Sequence, residues 1–274
     1  MSAIRGLEPL VNLVRLHLRA GHHQQGHRLL LDLYRAVTTS TETVLDDITV
    51  PARITETDQQ RAEVRQWLWR IVLADGTRAL TAAGRWSEAL RHIEEHRGIG
   101  LRILDGRQVA VLARATTGDA AGALALLAAT EPGDPWESAV TAALTALCRP
   151  GDRQAAVTAI NHCRALDTGE GLALFTTRLT LAALDACDRT EPAAQNLVQH
   201  LICRTSDSGD GYALRDLRAH RDVRSRLEPG RAQLLERSLT ACALGSGHLP
   251  KPLGEQLEKA LAHARSVLEN SPST

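Results

Sequence analysis

His92-Ile93-Glu94-Glu95-His96 is the stretch of this chain whose spacing most directly spells chemistry. Two histidines at i and i+4 share one face of a helix and can share a metal ion, with Glu95 placed as a general base. The order H-x-x-E-H is one that zinc-dependent hydrolases use. Such a site needs a third ligand, and Glu170 stands at a possible distance downstream. Against this, the five residues fall in the second helix of a well-formed helical pair, where packing sets the surroundings of His96. No catalytic residue, metal or cofactor is therefore assigned, and the zinc-dependent hydrolase stays as an alternative.

A second histidine cluster, His17, His22, His23 and His27, contains another i, i+4 pair, His23 and His27. No acid or cysteine stands beside them to complete four-coordination, so the expected binding is adventitious. Phosphate loops of the forms GxxxxGK[ST] and GxGxxG are absent, as is a GxSxG elbow. The five cysteines, Cys148, Cys163, Cys187, Cys203 and Cys242, are widely spaced and form no CxxC pair, which predicts reduced thiols packed in helices. Residues 215–237 hold seven arginines against four acids, with no aromatics for base stacking. This predicts a solvated helix face, and a DNA-associated transcriptional regulator stays as a second alternative. Trp67 and Trp69 stand two apart, so on a helix they point about 200° apart and cannot both be buried on one side.

The elements that would position these residues are helical. Apolar residues recur at three- and four-residue steps in Arg61–Ala83, with Thr57 and Asp58 as an N-cap and Gly84 as the stop. The pattern recurs in 136–149, 172–186, 229–243 and 254–268. No alternating strand of five residues is found. Thr49–Ile54 is the nearest, and Pro51 spoils it.

The breaks between helices are periodic. Gly21, Gly84, Gly118 and Gly151 each sit at a turn, and the last three are 34 and 33 residues apart. The first interval, 63, is near two such periods. Five residues after each glycine comes a small residue, Gly26, Ala89, Ala123 or Ala156, which lets two helices approach closely. Leu30, Ile93, Leu127 and Ile160 then fill the core behind it. One segment breaks the rhythm: residues 38–57 read as a long polar loop, a surface insertion or a docking lid.

On these turns, small residues and period, the chain resembles the tetratricopeptide-repeat family over Leu10–Asp167. It departs from the family pattern early in the first helix of each pair, where Leu10, Leu73, Arg107 and Val140 replace a bulky aromatic. The proline that ends the second helix matches only at Pro135. Its Ala/Arg/Leu-rich usage also resembles the repeat domains of actinobacterial regulators, although no space for a helix-turn-helix precedes the first repeat. The resemblance implies an all-α fold, a right-handed superhelical array of antiparallel helix pairs over 1–205. Further repeats or capping helices are expected over 206–274, with SDSGDG at Ser206–Gly211 as the boundary. It also implies a concave groove lined by Asp75, Arg78, Asp105, Gln108, Thr141 and Thr145, with Arg107 able to clamp a carboxylate.

Composition narrows the function. The chain has 274 residues, and its 32 basic residues balance 32 acidic ones. Zero net charge argues against a general nucleic-acid or membrane-surface binder. Lys251 and Lys259 are the only lysines. The apolar run at Leu10–Leu18 is broken by Asn12, Arg15 and His17, and no signal peptide or membrane span is expected. The sequence thus predicts a cytoplasmic, non-catalytic regulatory or scaffold protein that binds a protein or peptide partner.

Overall fold

The turn glycines do what their spacing requires. In the computed structural model, Gly21, Gly84, Gly118 and Gly151 have φ of 83°, 71°, 90° and 84°. This is the left-handed region, which glycine enters without steric cost. Each closes one helix and lets the next fold back. The small residues that follow are buried, as are Leu30, Ile93, Leu127 and Ile160 behind them. At Gly26 a Cβ would fall 3.3 Å from the Val14 carbonyl and still closer to the Leu18 side chain, which would have to shift to keep this crossing.

The structure describes residues 3–166, 169, 171–188, 190–244 and 246–270. These form two compact units, 1–162 and 163–274. The first opens with α1 (Ala3–Arg19) and α2 (His23–Thr39), followed by two short strands, β1 (Thr43–Leu45) and β2 (Ile48–Val50). Then come α3 (Asp58–Ile71), α4 (Thr77–Ala82), α5 (Trp86–Glu95), α6 (Asp105–Thr116), α7 (Ala120–Ala128) and α8 (Pro135–Cys148). A final helix, α9 (Arg153–Ala165), begins in this unit and crosses its boundary. The second unit holds α10 (Ala173–Asp185), α11 (Pro192–Ser208), α12 (Gly211–Ala219), α13 (Arg221–Arg224), α14 (Pro229–Ala241) and α15 (Lys251–Glu269). Among the described residues the fold is all-α apart from the two strands.

Residues 38–57 are not a structureless loop. Thr43 pairs with Val50 and Leu45 with Ile48 in an antiparallel hairpin. Its turn residues Asp46 and Asp47 both have positive φ, 44° and 66°. Such a turn matches strand twist, and aspartate tolerates it better than most residues. Leu45 and Val50 are buried in the core formed with Leu30, Leu33 and Leu68 of α2 and α3. The hairpin also accounts for the 63-residue interval. Helix α2 and one long helical element fill the rest of it.

That element is α3 and α4 joined by a π-helical turn, Val72–Gly76. Thr57 caps its start, its hydroxyl accepting from the Gln60 amide at 3.2 Å. The wide turn brings Asp75 and Gly76 inside the fold. In the second unit, α10 packs on α11 and α12 around Leu197, Leu201, Leu214 and Leu217. The SDSGDG stretch, expected as a boundary, lies inside this unit, where Gly209 in the left-handed region closes α11. No helix among the described residues is long and apolar enough to cross a membrane.

Candidate functional site

Thr141 and Thr145 line a cleft of about 540 Å³ walled by α8 and α9. Two rows of polar side chains face into it. Thr141, Thr145 and Arg149 follow one another at four-residue steps along and just beyond α8, while Gln154, Thr158 and His162 do so along α9. Four-residue steps keep side chains on one helical face. The Thr145 hydroxyl donates to the Thr141 carbonyl at 2.7 Å, and Thr158 to Gln154 at 2.8 Å. Each hydroxyl thus spends its proton on its own helix and keeps lone pairs free to accept. Arg149, Gln154 and His162 supply donors alongside them.

One end of the cleft is built around a buried carboxylate. Glu137 is 2% exposed and pairs with Arg102, which also reaches Asp134 at 2.8 Å. Glu137 further accepts from the Asp134 amide at 3.1 Å, bracing the start of α8. The Arg102 guanidinium holds the Glu137 carboxyl below the usual range. The D-x-x-E spacing at 134–137 is a capping signature.

Asp75 and Arg78 line a different cleft, of about 450 Å³, with Arg15, Leu18 and His23. Asp75 is buried and accepts from Arg15 at 2.8 Å and from Arg78 at 2.9 Å, so its charge is neutralised within the fold. This cleft shares no lining residue with the one at α8 and α9.

The remaining groove candidates lie elsewhere. Asp105 is exposed at the start of α6, and Gln108 donates to the Ile103 carbonyl at 2.8 Å. Arg107 is 4% exposed, and its guanidinium is committed to the fold. It donates to the Leu126 carbonyl at 2.7 Å, to Thr130 at 2.9 Å and to the Gly100 carbonyl at 2.5 Å. Clamping a ligand would cost these hydrogen bonds within the fold. Arg107 joins α6 to the end of α7 and is not presented to a partner.

Two of the H-x-x-E-H residues, His92 and His96, lie in a cluster with a third imidazole. The rings of His92 and His96 lie 4.6 Å apart, and His27 of α2 lies 5.1 Å from His92. Nε2 of His92 is 3.0 Å from the Val72 carbonyl, which can only accept, so that nitrogen carries the proton. Glu95 is exposed. Glu170, the expected third ligand, lies outside the described residues. Among those described, no group of three His, Cys, Asp or Glu is placed to hold a metal ion.

The three rings form a packed, uncharged cluster. Burial, then the neighbouring His92 and Arg85, push the His27 imidazole down to about 4. Burial lowers His92 and His96 as well. Nε2 of His27 is buried without a hydrogen-bond partner. Gly76 makes room for the cluster, since a Cβ there would fall 2.8 Å from Nε2 of His92. Trp69 closes one side, donating its indole N–H to the His96 carbonyl at 2.9 Å, whereas Trp67 packs against the core of α1 and α2. His27 sits 65 positions from His92, directly after the small residue of the first pair, so no local spacing links the two rings. In the other histidine cluster, His17 bonds to Asp46 and so holds the hairpin tip against α1.

Other chemistry is equally committed. Burial raises the Cys163 thiol to about 11 and raises Cys148 and Cys187, which makes them poor nucleophiles. In the arginine-rich segment Arg218 pairs with Glu236 at 2.5 Å and Arg215 with Asp216 at 3.0 Å. No protein-family model matches this chain, and no curated protein or solved structure matches it either.

Proposed function

We propose that the chain is a non-catalytic protein- or peptide-binding module of the tetratricopeptide-like kind, acting as a regulatory or scaffold protein in the cytoplasm. On this reading its helix pairs stack in a right-handed array, and the cleft between α8 and α9 receives the partner. The observation that carries the reading is the double row of polar side chains in that cleft: Thr141 with the acceptor hydroxyls of Thr145 and Thr158, beside donors at Arg149, Gln154 and His162. Peptide backbone offers both kinds of group in regular alternation, and such rows read it by position. Ala142 and Ala155 leave space between the rows for a side chain.

The test is selection of peptides from a display library on the full-length chain, followed by measurement of the enriched sequence. Thr145→Arg fills the cleft from an intermediate-exposure position and is expected to weaken binding at least about tenfold, roughly 1.4 kcal/mol, with unchanged helicity. Peptides that bind the variant equally well, or a library that yields none, would overturn the reading.

A further inference from the structure

The second unit ends in a helix exposed along its described side chains. α15 runs for 19 residues, and every described side chain on it is exposed. Yet it is amphipathic. Leu253, Leu257 and Leu261 are 53%, 47% and 60% exposed, and Ala264 continues the same stripe. A helix about 28 Å long, interrupted by Gly254, is marginal in water without packing on such a stripe. Two kinds of cover are separable by charge. A lipid surface calls for a basic polar face. Here Lys251, Lys259 and Arg265 are balanced by Glu255, Glu258 and Glu269.

We infer that α15 is a self-association surface that pairs antiparallel with α15 of a second copy of this chain. In heptad terms Leu257 and Ala264 take one core position and Leu261 the other. An antiparallel pair that sets Leu261 of each copy against Ala264 of the other also sets Glu258 of each against Arg265 of the other, giving two opposite-charge contacts. The parallel arrangement loses both. There Glu258 and Arg265 flank Leu253 and Ala260 of the second helix. The charges therefore select both the occupant and its direction. The paired surface is small, so the dimer is expected to dissociate on the order of 10 µM.

Sedimentation equilibrium of the full-length chain between about 1 and 100 µM tests this. Leu261→Glu should make the protein monomeric throughout. Glu258→Arg places like charges together and should weaken the dimer about tenfold, and adding Arg265→Glu should restore it. A wild-type chain that is monomeric throughout would overturn the inference. A dimer that survives Leu261→Glu would overturn it too, since another surface would then hold it. Indifference to the charge reversal and its rescue would rule out the antiparallel pairing. The substituted side chains are exposed, so the fold does not depend on them.

Discussion

His27 shows how burial, helped by neighbouring positive groups, can make an imidazole a sensor of acid. Its ring lies among His92 and His96, with Arg85 and Glu88 the nearest charged groups, and its neutral form is held down to about pH 4. The unfolded chain takes up that proton near 6.5. Its contribution to stability is therefore whole above pH 6.5 and is lost as pH falls toward 4. Denaturant midpoints measured across this window should decline in the native protein. In His27→Leu the decline should be shallower, and an equally steep one would show that the cluster does not govern it. Glu137, with its depressed carboxyl, acts in a lower window, stabilising above the ordinary glutamate range and losing its effect as it protonates. The sequence shows the i, i+4 relation of His92 and His96, because a helix fixes it locally. It does not show His27 beside them or Arg107 turned inward, since tertiary packing decides both.

The β1–β2 hairpin belongs to the scale of the element. Polar composition and Pro51 disguise it, and only two of its strand side chains, Leu45 and Val50, are buried. Three-residue strands are too short for a two-residue alternation to stand out. What anchors the hairpin is the core it joins. Leu45→Ala should cost about 2–4 kcal/mol in urea unfolding, as for any filled core site. A loop lying loosely on the surface would lose less than about 0.5 kcal/mol. The helices themselves are legible because glycines mark their ends and their buried residues repeat. The π-helical turn is not, since Val72–Gly76 keeps apolar and small residues in an order that an α-helix would also accept.

For the molecule as a whole, composition and period are enough to indicate an all-α chain. The division between His162 and Cys163 is hidden, because it falls within the continuous helix α9 and no glycine or proline marks it. The groove expected from the repeats is separated into clefts with their own linings, one around Asp75 and one around Thr141 and Thr145. A register inferred from sequence assigns faces of helices, whereas the depth between two helices depends on side chains that are far apart in the chain.

The exposure of α15 has one practical corollary. Both lysines of the chain lie on it, and Lys251 is followed by Pro252, which shields its bond from most lysine-directed proteases. Lys259–Ala260 is thus the single ready bond for such an enzyme. Brief digestion should clip the native protein once, removing Leu261 and Ala264 while leaving the preceding 259 residues whole. A tailless form is obtained this way without mutagenesis, and the mass of the fragments reports whether the cut was made there. The rate of that cut, compared between dilute and concentrated solution, reads how much of the helix is sheltered at each concentration.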